Sequence, residues 1–397
     1  MSRALALALA LIALLATPTA TASQANGAGG RGAPTRSIGA IRICSNDSLP
    51  RHVGRYRYLI LNAWNDREIA RIKAQNPRTT VLVYKDMATS RDDAVHNGVD
   101  LPLLSTGVGY AYANRHHPEW FLKDTKGARV NYPSSPHSWQ MDVGSESYQQ
   151  AWLRNVGREV RARHWDGVFI DGVSAKLQYP WFLNGRVLAK YPSDADYERA
   201  TTSFLRQVGP ALKRRGFLVV PNVNDATFPL WRRWVGYTSG AVREWWTKSG
   251  TGREDGLMTG NEWSAQLTLL REAEKLHKIF IGITYGPRDD TRSMRYARAS
   301  FLLAARSDRS AVIYSAGCGT ESWSPQWTQG LGAPRGPAFP VGPGAWRRNF
   351  TRGTVLVNAS PSAAVGIRLG SRYQAPDGSV VASVDLQPRS GLLLRRP

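Results

Sequence analysis

Cysteine is nearly absent: Cys44 and Cys318 are the only two in 397 residues. Two thiols cannot frame a disulfide-built miniprotein or a Cys-rich zinc module. Lysine is scarce too, ten among 52 Lys+Arg, and the arginines are scattered through every segment. The densest clusters, Lys213-Arg214-Arg215 and Arg347-Arg348, are short. A nucleic-acid binder would gather its basic residues on one face or in a run. The formal charge of +22 therefore reads as a solvated surface, and no nucleic-acid partner is expected. Where a doubly wound sheet would carry a Gly-rich phosphate turn, Asn62-Ala63-Trp64-Asn65 stands instead. No G-x-S-x-G marks a serine-hydrolase elbow. His116-His117 lacks the carboxylate or further histidine spacing of a zinc site, so neither metal nor cofactor is expected. The longest apolar run, Ala4 to Ala16, falls short of the roughly 20 residues that span a bilayer.

What is present begins with that run. Arg3 precedes it, and Thr17, Pro18 and Ala20-Thr21-Ala22 follow. A basic start, an apolar core and an A-x-A site make residues 1–22 a secretory signal peptide, and 23–37 a flexible linker. Export to the extracellular space or cell wall follows, and so does an oxidising setting for the cysteines.

From residue 58 onward, short apolar runs alternate with helix-period segments. The runs are Tyr58–Leu61, Val81–Tyr84, Trp139–Met141, Gly167–Ile170, Phe217–Val220, Ala241–Val242, Ile279–Ile283 and Ala311–Tyr314. Nearly continuous apolar strands are what a parallel sheet buried on both faces requires. Between them, Tyr148, Trp152, Val156 and Val160 recur every four residues, and similar stripes run through 197–212, 267–276 and 294–305. Eight strands alternating with helices predict an α/β fold, a (β/α)8 TIM barrel over 38–335. A long stretch from Asp86 to His137 interrupts it on the C-terminal face. After a Gly/Pro/Trp-rich passage over 317–346, period-2 runs and the turn Pro376-Asp377-Gly378-Ser379 predict a small antiparallel β domain. It occupies 336–397 together with its linker.

Barrel sites lie at the C-terminal ends of the strands. The residues there are Asn62, Lys85-Asp86, Asp142, Asp171, Asn222, Glu244, Tyr285 and, in the last loop, Glu321. Two carboxylates on one face suit glycosidic cleavage, one protonating the leaving oxygen and the other attacking the sugar or activating water. Asp171 ends the most distinct strand, and Glu244 ends the sixth; these two are the catalytic candidates. Asp142 precedes the helix starting near Ser145 and has a capping or positioning role within the substrate site. Asn222, Tyr285, Glu321, Trp64, Trp245 and Trp246 are expected to contact substrate, the tryptophans as flat walls of a sugar groove. Trp181, Trp323 and Trp327 lie near the same ends.

The runs His117-Pro118-Glu119-Trp120-Phe121-Leu122-Lys123-Asp124, Met141-Asp142-Val143-Gly144 and Trp165-Asp166-Gly167-Val168-Phe169-Ile170-Asp171 resemble barrel glycosidases. The chain resembles glycoside-hydrolase-like family 15, a bacterial group distantly similar to the endo-α-1,4-polygalactosaminidases. The likeness runs from about Ile41 to the C-terminus. It implies a nucleophile at Asp171 and an acid/base at a later strand end, here Glu244. Those relatives act on a partly cationic polymer, which the net positive charge argues against. The expectation is a secreted, monomeric, retaining hydrolase of a polysaccharide or oligosaccharide, against an alternative of a non-catalytic carbohydrate- or cell-wall-binding protein on the same scaffold. Because the first and last strands of a barrel adjoin, a Cys44–Cys318 disulfide across that seam is also expected.

Overall fold

The computed structural model describes residues 37–44, 49, 52–177, 183, 185–317 and 322–397. Residues 1–22, where the sequence leads one to expect a signal peptide, and Trp181, Cys318 and Glu321 lie outside the described residues.

Eight parallel strands follow one another along the chain: β1 (Gly39–Arg42), β2 (Tyr58–Leu61), β3 (Thr80–Asp86), β4 (Gly167–Asp171), β5 (Leu218–Pro221), β6 (Gly240–Arg243), β7 (Ile279–Tyr285) and β8 (Ala311–Ser315). The first five form one sheet in that order and the last three a second. Single parallel bridges, Ile38 to Val312 and Asn222 to Val242, join the sheets at both edges, so the strands form a closed ring. Alternate residues point inward, and Ile41, Ile60, Leu82, Phe169, Val220, Val242, Ile281 and Ile313 pack together inside it. The intervening residues, among them Leu59, Val83, Val168, Val219 and Phe280, face an outer helical layer. Two buried faces explain why these strands read as unbroken apolar runs.

The outer layer includes α1 (Ile69–Gln75), α2 (Glu146–Ala162), α3 (Asp194–Arg214), α4 (Phe228–Tyr237), α5 (Gly260–Lys275) and α6 (Thr291–Ala304). In α2 the side chain of Ser145 accepts the Tyr148 N–H as an N-cap, and the stripe Tyr148, Trp152, Val156 and Val160 is buried.

One predicted ring strand is misplaced. Trp139-Gln140-Met141 belongs instead to an antiparallel sheet within the long insert, where Ser135–Gln140 pairs with Thr89–Arg91 and Asn131–Tyr132. The strands at Thr80–Asp86 and Gly167–Asp171 pair directly instead, and the eighth ring strand is Gly39–Arg42, which pairs with Tyr58–Leu61. That strand offers only Ala40 and Ile41 as apolar residues. Gly39 packs closely there: a Cβ would lie 3.0 Å from both the Tyr58 carbonyl oxygen and the Ile313 side chain.

The C-terminal sheet has six antiparallel strands: β9 (Pro334–Gly342), β10 (Ala345–Phe350), β11 (Gly353–Asn358), β12 (Ala364–Gln374), β13 (Val380–Leu386) and β14 (Ser390–Arg395). Their order is β9-β10-β11-β14-β12-β13. The Gly/Pro-rich passage expected to be loop thus contains β9. Prolines 334, 337 and 340 are tolerated because β9 is an edge strand. The sheet lies against α6 so closely that a Cβ on Gly391 would stand 2.6 Å from the Arg295 carbonyl oxygen. Arg348, almost fully buried, donates to the carbonyls of Leu302 (2.9 Å) and Ala305 (2.6 Å) at the end of α6, and to Gly336 (3.0 Å).

Candidate active site

All eight ring strands run the same way, so their C-terminal residues meet on one side. Asp171 ends β4, Asn222 and Asn224 follow β5, Glu244 follows β6, and Tyr285 ends β7. The Asn222 backbone N–H donates to the Ile170 carbonyl at 2.8 Å, which sets its side chain beside Asp171. Its Nδ2 then donates to two carboxylates at once, Asp171 Oδ1 at 3.1 Å and Glu244 Oε2 at 2.7 Å. Two such bonds from one nitrogen hold those oxygens no more than about 5.8 Å apart. The Tyr84 hydroxyl donates to Asp171 Oδ2 at 2.9 Å, and the Tyr285 hydroxyl to Glu244 Oε1 at 2.6 Å. Asn224 Nδ2 adds a bond of 3.3 Å to Glu244 Oε2, while the Asn224 Oδ1 accepts the Glu244 N–H at 3.0 Å.

Burial is the main cause that pushes the Glu244 carboxyl above its ordinary range, and the charge of Asp171 adds to it. The bonds from Tyr285, Asn222 and Asn224 work against that rise. The site can therefore offer a proton-holding carboxyl beside a second carboxyl. Burial also raises the Tyr285 phenol well above 10.0, so it stays a donor. Directly after Glu244, Trp245 adopts a left-handed backbone with φ 58°. That conformation is costly for a bulky side chain and persists only where the surroundings enforce it. Here the indole packs edge-on against Tyr285, ring centroids 5.1 Å apart.

Tyr84, Asp171, Asn222, Asn224 and Glu244 line a cleft of about 510 Å³. Its far wall comes from the long insert, including Thr89, Arg91, Tyr132 and Ser138. Asp86, Asp171, Asp225 and Glu244 face this cleft against a single Arg91. Its local charge thus opposes that of the whole chain, and the net charge carries no argument about the substrate. Among the described residues, no cluster of three or more His, Cys, Asp or Glu side chains could hold a metal ion.

Asp171, Glu244, Asn222 and Tyr285 come together as the strand ends suggested. Trp64 stands in a second cleft of about 870 Å³, which shares Tyr84, Arg91 and Ser105 with the first. Trp246 does not reach either: it is fully buried between the ring and α6, edge-on to Phe280. Asp142 is also removed from the cleft lining, because the strand before it is not a ring strand. Its buried carboxylate accepts from Lys190 and Tyr191. Trp327 is buried against Tyr314, and Trp323 stacks under Arg55 instead of entering the cleft. The sequence pattern does not reach Tyr84, Asn224 and Asp225, which also line the cleft, and it leaves Asp86 at a strand end without a role. Strand-end position pointed to Asp86, but its pairing across the sheet could not be read from spacing.

Asp171 and Glu244 thus stand together at the strand ends of a parallel α/β ring, with the Glu244 carboxyl raised above its ordinary range. Residues 73–354 match the model of Hypothetical glycosyl hydrolase family 15, and the chain belongs to that family. It is a glycoside hydrolase by that membership, and a carbohydrate is its substrate. No curated protein matches the chain. Among solved structures, a maltogenic α-amylase of Thermotoga neapolitana is similar in fold, at 9% identity and TM-score 0.51, over 91% of this chain and 98% of that one. The glycoside hydrolase domain of PelA from Pseudomonas aeruginosa shows 17% identity and TM-score 0.46, over 72% and 99%. Ega3 of Aspergillus fumigatus, solved with galactosamine, shows 12% identity and TM-score 0.43, over 73% and 94%.

Proposed function

We propose that the strand ring is a (β/α)8 barrel, and that the chain is a secreted, retaining hydrolase of the O-glycosidic bonds of a polysaccharide. Glu244 donates its proton to the leaving glycosidic oxygen while Asp171 attacks the anomeric carbon. The glycosyl–Asp171 ester that forms is then cleaved by water, from which Glu244 takes a proton back. The observation that carries this reading is the pair of hydrogen bonds donated by Asn222 Nδ2. It sets the two carboxyl oxygens within about 5.8 Å, which suits the separation of about 5–5.5 Å in retaining enzymes and falls short of the roughly 6.5–9.5 Å that leaves room for water in inverting ones. Asn222 and Tyr285 hold the pair in register. Trp64, 36% exposed, is read as a platform for sugars further along the chain, and Trp245 as the prop behind Tyr285.

The test screens anionic, neutral and amino-sugar polysaccharides with the wild-type protein, Asp171→Asn and Glu244→Gln. Release of reducing ends should fall by at least about three orders of magnitude in both variants, and the first product should keep its anomeric configuration by proton NMR. Equal release by all three proteins would sink the catalytic assignment. Binding without release by any of them would favour a carbohydrate-binding protein instead.

Export rests on residues 1–22; N-terminal sequencing of protein from the culture medium should begin after Ala22. Cys44 lies two residues beyond β1, which is bridged to β8, and Cys318 lies three beyond β8. No described cysteine is a free thiol. These positions support a Cys44–Cys318 disulfide, which two alkylatable thiols in the exported protein would refute.

A further inference from the structure

Asp86 and Asp171 are direct register partners on adjacent strands, β3 and β4. Asp86 lines the same cleft. Its Oδ1 accepts the backbone N–H groups of Ala88 at 2.7 Å and Thr89 at 3.0 Å, which fix its rotamer. Gly172, with φ +74°, keeps the space beside it open: a Cβ there would lie 2.7 Å from Asp86 Oδ1. The charged and titratable groups around it supply no counter-charge. Tyr84 on its own strand, Tyr132 in the insert, Tyr148 on α2 and Tyr197 on α3 interact with it electrostatically, and burial raises all four phenols. Lys85, next in the chain, is committed to Glu159 and the Leu104 carbonyl. Arg91, in the same cleft, is committed to Asp93 and Ser138. Asp171 is the charge that bears on Asp86 most strongly.

We propose that Asp86 is a positioning residue of this site, a third carboxyl whose charge acts across the shared cleft on Glu244, setting the alkaline limit of turnover. The inference rests on the hydrolase reading above. Burial and the neighbouring Asp171 push the Asp86 carboxyl up to about 7, against the two backbone N–H bonds that lower it. At acid pH Asp86 is therefore neutral and adds no charge. Above neutrality it ionises, and the extra negative charge in the cleft makes Glu244 hold its proton longer. Glu244 must be protonated to expel the leaving group, so ionised Asp86 keeps the acid in its working form toward higher pH.

The experiment is the pH profile of kcat/KM for wild type, Asp86→Asn and Asp86→Glu on the polysaccharide that the screen identifies. Asp86→Asn should keep its acid-side activity within about twofold and lose about three- to tenfold on the alkaline side, its alkaline limb moving to lower pH. Asp86→Glu, which restores the charge, should recover the wild-type limb. A uniform loss at all pH, or an unchanged profile, would overturn the proposal. Carbon-13 NMR of the aspartate carboxyls in the wild-type protein covers the case in which Asp86→Asn does not fold. One carboxyl should titrate near neutrality, and all of them titrating in the ordinary acid range would equally overturn it. The NMR reading needs no turnover, so its failure is distinct from failure of the hydrolase reading, which absence of hydrolysis by wild type would signal.

Discussion

Replacing Tyr285 by phenylalanine removes one hydroxyl and nothing else from the acid/base environment. The ring is 6% exposed and packs on Trp245, a contact that phenylalanine retains. Lost is the 2.6 Å bond to Glu244 Oε1, leaving Asn222 and Asn224 as donors to the other oxygen. A hydrogen bond to a charged group contributes about 1.5–3 kcal/mol. Because the phenol donates, it favours the ionised form of Glu244, and its removal favours the protonated form. Glu244 is already held above the usual carboxylate range by burial and by Asp171, and the variant pushes it further the same way. If Glu244 is the acid, the alkaline limb of kcat/KM should move upward by about one to two pH units, given 1.36 kcal/mol per unit. The second step, which needs ionised Glu244 as base, should slow at low pH. The assay is the rate of reducing-end release across the pH range, with a thermal melt to confirm that the variant is folded. A folded, active Tyr285→Phe enzyme whose alkaline limb stays in place would refute Glu244 as the titrating acid.

Trp64→Ala should raise KM on long polysaccharide about tenfold while leaving short oligosaccharides within about twofold. Loss of roughly 60 Å² of stacked apolar surface is worth about 1.5 kcal/mol, and equal effects on both lengths would remove Trp64 from the substrate path. Arg348→Met leaves the carbonyls of Leu302, Ala305 and Gly336 without their donor. The Leu302 and Ala305 carbonyls are the buried ones; at about 1–3 kcal/mol for each unpaired buried group, denaturant unfolding should show a loss of about 2 kcal/mol or more, and a change below about 1 kcal/mol would contradict the anchoring role.

The candidate pair could be read from the sequence because a parallel ring converts two local signals into one place. An apolar run marks a strand, and the polar residue that ends it marks the face. Asp171 and Glu244 needed nothing more. The same rule carried an error through to Asp142: once Trp139–Met141 was taken as a ring strand, its terminal aspartate was placed at the site. Its real partners, Lys190 and Tyr191, lie almost 50 residues downstream, and no period in the sequence connects them. Trp245 and Trp246 show a second limit. They are adjacent and chemically identical, but the left-handed turn at Trp245 puts one indole against Tyr285 and buries the other under α6. A positive φ at a tryptophan is a tertiary outcome, invisible to propensity.

Charge shows why composition and site must be separated. A surplus of 22 positive charges over the chain weighed against a cationic substrate only while every charge was given equal weight. Screening removes exposed arginines from the account within about 10 Å at moderate salt, whereas charges in a cleft walled by protein are screened far less. The groups that face the cleft are those brought there by strand register: Asp86 opposite Asp171, Asn222 between Asp171 and Glu244, and one Arg91 already committed to Asp93. Carboxyls outnumber the one arginine in that cleft, so its local charge has the opposite sign to the net charge of the chain. Substrate preference follows from that cleft, so the salt dependence of KM should separate the two contributions. Loss of affinity with rising salt would mark surface arginines guiding an anionic polymer, and insensitivity would mark recognition confined to the cleft.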